Sequence, residues 1–126
     1  MQVPDDLLYT EEHEWIRDVG DSQVRIGITD YAQDQLGDVV YVELPEAGKE
    51  VAKDDVLVEV ESTKSVGEVY APFAGTIKSV NDAIAESPEL VNQSPYEDGW
   101  LVTMSLVGTL PSDGLLSASE YRALTE

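Results

Sequence analysis

Val56-Leu57-Val58-Glu59-Val60-Glu61-Ser62-Thr63-Lys64-Ser65-Val66-Gly67-Glu68-Val69-Tyr70-Ala71-Pro72 reads as two short strands with a lysine between them. A strand over Val56–Glu61 places Val56, Val58 and Val60 on one face and Glu59 and Glu61 on the other, because side chains alternate along an extended chain. Val66–Ala71 returns, and Pro72, which has no N–H for a ladder, ends it. The hairpin covers about residues 56–71, with Lys64 at its tip. Only four lysines occur, Lys49, Lys53, Lys64 and Lys78. A modifying enzyme must reach the ε-amine, so its lysine has to protrude from a rigid turn; the small neighbours Ser62, Thr63 and Ser65 leave room for it. Acylation would remove the charge and make an arm on the order of 14 Å long from the backbone. Tethering would then raise the effective concentration of the carried group at each partner. A solvated lysine in a turn is the ordinary alternative, and the residues of the tip alone do not separate the two.

Outward from the hairpin, short strands follow one another closely. Glu12–Arg17 and Gln23–Ile28 are expected to pair, with Asp18–Ser22 supplying the turn. Thr29 or Asp30 can cap a short helix over Tyr31–Leu36, and Gly37 can end it. Val39–Leu44 is β-branched and aromatic and should be a strand, stopped by Pro45-Glu46-Ala47-Gly48. Gly75–Val80 and Trp100–Leu106 are further strands, and Asn81 caps one helical turn through Ala85. Ser117-Ala118-Ser119-Glu120 has the capping-box pattern and opens a short helix through about Leu124. Gly48-Lys49-Glu50-Val51 and Gly75-Thr76-Ile77 each lead into a strand-like segment, a similarity too weak to define a repeat. This pattern favours a mostly β sandwich or flattened barrel of antiparallel strands over an α/β fold. No linker or low-complexity segment interrupts residues 1–126, so one domain is expected.

Lys plus Arg number 7 and Asp plus Glu 26, a formal net charge of −19. Nucleic acid and anionic membranes would repel such a chain, so neither is an expected partner. The charge suits docking to positively lined partner sites, and equally it serves solubility alone. With no cysteine, disulfides, thiolate metal sites and a cysteine nucleophile are excluded, and any redox-active sulfur must come from a cofactor. No apolar run approaches a membrane span. The amino terminus has neither signal-peptide nor transit-peptide character, and the expectation is a monomer in a bacterial cytoplasm.

Glu61-Ser62-Thr63-Lys64-Ser65 resembles the lipoylation site of the glycine cleavage system H protein family. Further segments resemble the family in order and spacing. They are Tyr9–Trp15, Gly27–Gln33, Leu36–Pro45, Tyr70-Ala71-Pro72, Glu89–Asn92, Ser94–Trp100 and Leu115–Tyr121. The resemblance implies a barrel-sandwich hybrid of two small antiparallel sheets, with short peripheral helices and the modified lysine on a hairpin. It implies a non-catalytic carrier, with lipoate in amide linkage on Lys64. The implied partners are a pyridoxal-phosphate glycine decarboxylase that loads an aminomethyl group, a tetrahydrofolate-dependent aminomethyltransferase that removes it, a flavin-containing dihydrolipoamide dehydrogenase that reoxidises the dithiol, and lipoyl-attaching enzymes. It also implies a water-excluding cleft for the loaded arm, with Glu14 and Glu68 at the matching positions. Here Glu68 stands where many members have Asp, Gly67 where many have Ser, and Glu12 where some have a neutral residue.

Other readings carry less. A biotin carrier would flank its lysine with methionines rather than Thr63 and Ser65. A lipoyl donor to other complexes would have no loaded group to protect, so the Glu14 region argues for glycine cleavage. A hydrolase lacks its motifs. His13, the only histidine, is expected to pack or to lie at the surface rather than catalyse. Trp15 and Trp100 are expected to pack, although an indole near the arm would shield it. Asp5-Asp6, Asp54-Asp55 and Glu97-Asp98 lack the ligand ladder of a calcium loop and are expected to be solvated.

Overall fold

The hairpin forms where the alternation places it: β6 (Val56–Ser62) pairs antiparallel with β7 (Val66–Tyr70). The computed structural model describes residues 2–106 and 114–125. A bulge corrects the expected facing, because Val56 opposes Tyr70 and Val58 opposes Val69, leaving Leu57 as the extra residue. Leu57 turns inward to 4% exposure and Val56 turns out to 38%. A bulge inserts one residue and so inverts the alternation beyond it.

Seven further strands surround the hairpin among the described residues: β1 (Leu8–Tyr9), β2 (Glu14–Gly20), β3 (Gln23–Ile28), β4 (Val39–Glu43), β5 (Glu50–Val51), β8 (Gly75–Val80) and β9 (Val102–Leu106). They build a six-stranded sheet in the order β1-β2-β3-β9-β8-β5 and a three-stranded sheet in the order β4-β6-β7. Every pairing is antiparallel. The two faintly similar segments pair with each other, as Glu50 opposes Thr76 and Val51 opposes Gly75.

Four short helices lie among these strands: α1 (Asp30–Leu36), α2 (Asp82–Glu86), α3 (Leu90–Gln93) and α4 (Ala118–Thr125). Thr29, rather than Asp30, caps α1 by accepting from Ala32 N–H at 3.1 Å. Gly37 ends that helix at φ 85°, a left-handed conformation open to glycine. Asn81 caps α2. Ser117 and Glu120 close the capping box reciprocally, at 3.0 and 3.2 Å. The tiny strands β1 and β5 and the helix α3 carry too few residues for a period to be read.

The first hairpin is displaced from its expected position. β2 begins at Glu14 rather than Glu12, because His13 sits at φ 68° in a turn. It runs on through Gly20, so only Asp21 and Ser22 form the turn, both at positive φ. That two-residue form matches the twist of its flanking strands.

Ile16, Val24 and Ile26 of the large sheet and Val42, Val58, Val60 and Val69 of the small one lie in one buried core. Each such side chain contributes about 1.5–3 kcal/mol on burial. Trp15, next to Ile16 in the strand, faces the other way and joins Tyr9, Tyr96 and Tyr121 in a second cluster. The large sheet is thus covered on both faces, the outer one partly by α4. Among the described residues, no helix is long and apolar enough to cross a membrane.

Candidate functional site: a lysine tip beside an apolar groove

Ser62 builds the tip. Its hydroxyl accepts from Lys64 N–H at 3.3 Å and Ser65 N–H at 3.0 Å and donates to Ser65 O at 3.1 Å. Thr63 N–H donates to Asp38 O at 3.0 Å, tying the tip to the segment after α1. Lys64 itself is exposed. Its stem passes over Gly37: a Cβ there would stand 3.2 Å from Lys64 Cε. Gly67 fits against α1 in the same way, 3.0 Å from Leu36 Cδ2 at its absent Cβ. Asn92 braces this support from α3. It accepts from Val39 N–H at 2.8 Å and donates to Gln33 Oε1 and Gly37 O, both at 2.9 Å.

A groove of about 340 Å³ runs along α1, and its lining includes Leu36, the chain neighbour of Gly37. Tyr31, Ala32, Gln35 and Leu36 share one face of α1 and form one wall. Gly67, Glu68 and Val69 of β7, an edge strand, form the other, above Ile28 and Val60. Glu12 and His13 close the end nearest the start of α1. The seven residues of α1 give the groove a length of about 10 Å.

Glu68 is therefore in the groove, exposed, with Tyr70 Oη 3.4 Å from its Oε1. Glu14 is beneath it and does not line it. The Glu14 side chain is 2% exposed, Oε1 accepts from Thr10 Oγ1 at 3.0 Å, and Oε2 accepts from Tyr70 N–H at 2.7 Å. On the edge strand β7, that bond takes the place of one from a missing neighbour strand. Burial pushes the Glu14 carboxyl up to about 7, against the opposing pull of the Tyr70 and Thr10 bonds.

His13 packs, as expected, and also lines the groove. Its ring lies 4.7 Å from Tyr31 and edge-on to Tyr121, and Nδ1 is 2.8 Å from Tyr121 Oη. Burial lowers its pKa, which favours the neutral ring. Neither Trp15 nor Trp100 lines the groove: Trp15 donates to Pro95 O on the far face, and Trp100 lies under Arg25. The three acidic pairs are exposed; Asp5 pairs with Arg122 and Glu97 with Arg17. Asn92, Thr29 and Tyr121 carry roles that the sequence reading left unassigned, because their partners lie 53, 92 and 108 positions away. Apart from the cap offered at Thr29, only the resemblance of their segments marked them.

A larger, more open hollow of about 780 Å³ borders β4 and the segment 44–49, with Glu43, Glu46 and Glu59 on its rim and no part of Lys64 in it.

The family model for the glycine cleavage H-protein matches residues 7–126. The chain is 52% identical over 124 residues to a glycine cleavage system H protein of Nitratidesulfovibrio vulgaris, covering 98% of this chain and 95% of that one. It is 53% identical over 126 residues to the counterpart from Mycolicibacterium smegmatis, covering 98% and 96%. A crystal structure of a glycine cleavage system H protein from Mycobacterium marinum superposes with a TM-score of 0.87 at 39% identity, covering 98% of both chains. The two-sheet architecture is the barrel-sandwich fold of that family.

Proposed function

The chain belongs to the glycine cleavage H-protein family, and on that premise we propose that Lys64 is its lipoyl attachment site and that residues 1–126 act as one carrier domain. A lipoyl carrier role in glycine cleavage follows from the membership. Held in amide linkage by Lys64, lipoate would supply a disulfide able to accept an aminomethyl group from a pyridoxal-phosphate glycine decarboxylase, to pass it to a tetrahydrofolate-dependent aminomethyltransferase, and to be restored from the dithiol by a flavin-containing dihydrolipoamide dehydrogenase. These enzymes, with the lipoyl-attaching enzymes, are the partners, in a bacterial cytoplasm. The chain itself performs no catalysis in this scheme.

The observation that carries this reading is the exposed Lys64, with its stem laid over Gly37, one residue from Leu36 in the wall of the groove. The residues fit the group. From an amine at that point, the arm has about 8 Å of its length left, and the groove offers about 10 Å. Leu36, Val69 and Ile28 give it apolar walls. The rigid tip presents the amine, and the apolar walls exclude water. Glu68 offers a carboxylate to a cationic amine in the groove, while Glu14, buried below, holds β7 in place through Tyr70 N–H.

The test is intact mass with peptide mapping after incubation with a lipoyl-transfer system. One lipoyl adduct on Lys64 is expected. No adduct on the folded chain, with the transfer system active on a control, would overturn the assignment.

A further inference from the structure

Tyr121 of α4 does not line the groove, yet its hydroxyl touches a residue that does. Tyr121 Oη lies 2.8 Å from His13 Nδ1 and 2.7 Å from Thr29 Oγ1. Counting donors decides where the protons are. Thr29 is fully buried, and its oxygen already accepts from Ala32 N–H. Among the described residues, the only acceptor left for the Thr29 O–H is Tyr121 Oη. If Tyr121 donated to Thr29 instead, that O–H would be buried and unmade, at a cost of about 1–3 kcal/mol. Thr29 therefore donates to Tyr121, and Tyr121 donates to His13 Nδ1. A neutral imidazole that accepts at Nδ1 carries its proton on Nε2.

The ring is held rigidly in this state. Tyr121 is fully buried and stacks on Tyr9 at 4.7 Å and 12°. Burial pushes its phenol up to about 12, so it stays a donor. His13 rests on Tyr31, and its backbone is at φ 68°, a strained conformation that persists where the surroundings over-determine it. His13 Nε2 has no hydrogen-bond partner among the described residues, and the ring borders the groove. The groove's carboxylates, Glu12 and Glu68, can only accept when ionised, so His13 supplies what they cannot.

The geometry points to His13 as a hydrogen-bond donor to the sulfur-bearing end of the lipoyl arm, with Tyr121 as the positioning residue that fixes its tautomer. This rests on the reading of the groove as the cleft for the arm. An arm entering past Gly37 and following α1 carries its end to within about 2 Å of the start of that helix, beside His13, because α1 is about 10 Å long and about 8 Å of arm remains. A thiolate is a stronger acceptor than a thiol, so an N–H aimed at it favours the anionic form. The carboxyl-terminal helix thus belongs to the site without touching the arm.

His13 is the only histidine, so its ring signals are unambiguous. Long-range proton–nitrogen correlation on the full ¹⁵N-labelled chain tests the tautomer directly. The unlipoylated wild type is expected to show a single form, Nδ1 bare and Nε2 protonated; a protonated Nδ1 would overturn the proposal. Tyr121→Phe keeps the stack on Tyr9 and is expected to lose the preference between nitrogens. A folded variant with an unchanged tautomer would remove the role given to Tyr121, and if the variant does not fold, the wild-type tautomer still decides. In the lipoylated, reduced chain the Nε2–H resonance should shift and exchange more slowly with water, together with shifts at the Leu36, Gly67 and Val69 amides. Amide shifts with an unmoved His13 ring would sink the donor role and leave the groove reading standing. Unmoved amides would remove both.

Discussion

The six-stranded sheet is covered on both faces, whereas the three-stranded sheet is covered on one. Ile16 and Trp15, neighbours in β2, lie in different buried clusters on opposite sides of the large sheet. On the small sheet, Val40, Tyr41 and Val66 remain 54%, 50% and 55% exposed. Glu43, Glu59 and Glu68 stand in one row across its three strands, an arrangement of directly opposed like charges that costs stability. His13, Glu14 and Thr29, which need fixed geometry, sit on or beside the doubly covered sheet. Lys64, the proposed attachment site, sits on the singly covered one. Stability and access are thereby placed on different elements, and substitutions in the two should separate.

The largest effect expected is functional. Lys64→Arg should abolish loading, read by intact mass, and carrier activity, read by glycine decarboxylase exchange, with the thermal midpoint unchanged. A large fall in that midpoint would mean that the tip is part of the core, and the contrast would break.

Glu14 gives the next largest effect, in stability. Its folded carboxyl keeps its proton up to about pH 7, whereas the unfolded chain releases it near 4.5. The stability it contributes is therefore full below about 4.5 and is lost as pH rises to about 7. At about 1.36 kcal/mol per unit, the wild type should lose ~3 kcal/mol over that window relative to Glu14→Gln. Urea unfolding across pH measures it, and parallel profiles would show an ordinary carboxyl.

Two glycines sharpen the contrast with one chemical change. A Cβ on Gly27 would stand 2.6 Å from the buried Trp15 indole, which cannot move aside. Gly27→Ala should cost about 1–3 kcal/mol, as overpacking does. At Gly67 the added methyl meets Leu36 Cδ2 at 3.0 Å, the free end of a flexible side chain. Gly67→Ala should stay within about 0.5 kcal/mol, and equal costs in denaturant unfolding would erase the distinction.

The smallest effect tests the acidic row. Glu59→Lys turns two like-charge neighbours into opposite ones and should stabilise by about 0.5–1 kcal/mol. The gain should shrink in high salt; a loss of stability would show that the row is compensated.

Much of the fold is legible locally. The hairpin, the caps at Asn81 and Ser117, and the glycine after α1 follow from alternation, side-chain hydrogen bonding to the backbone and φ preference. These signals act over a few residues, which is why they can be read. The bulge at Leu57 and the left-handed His13 were not legible, because each depends on what lies across the strand or beneath the ring. Thr29–Asp30 held a cap in either reading, and the Tyr121 bond shows what else Thr29 does.

The sequence by itself determined a mostly β chain of the H-protein family with an accessible lysine between two strands, because periodicity, turn chemistry and motif spacing are written along the chain. Only the tertiary structure decided which groups meet. It buried Glu14 against Tyr70 N–H, set Glu68 in the groove, and brought Tyr121 to His13 across 108 positions. Hydrogen bonds and burial depend on distance in space, and sheet order and helix docking alone convert sequence separation into that distance.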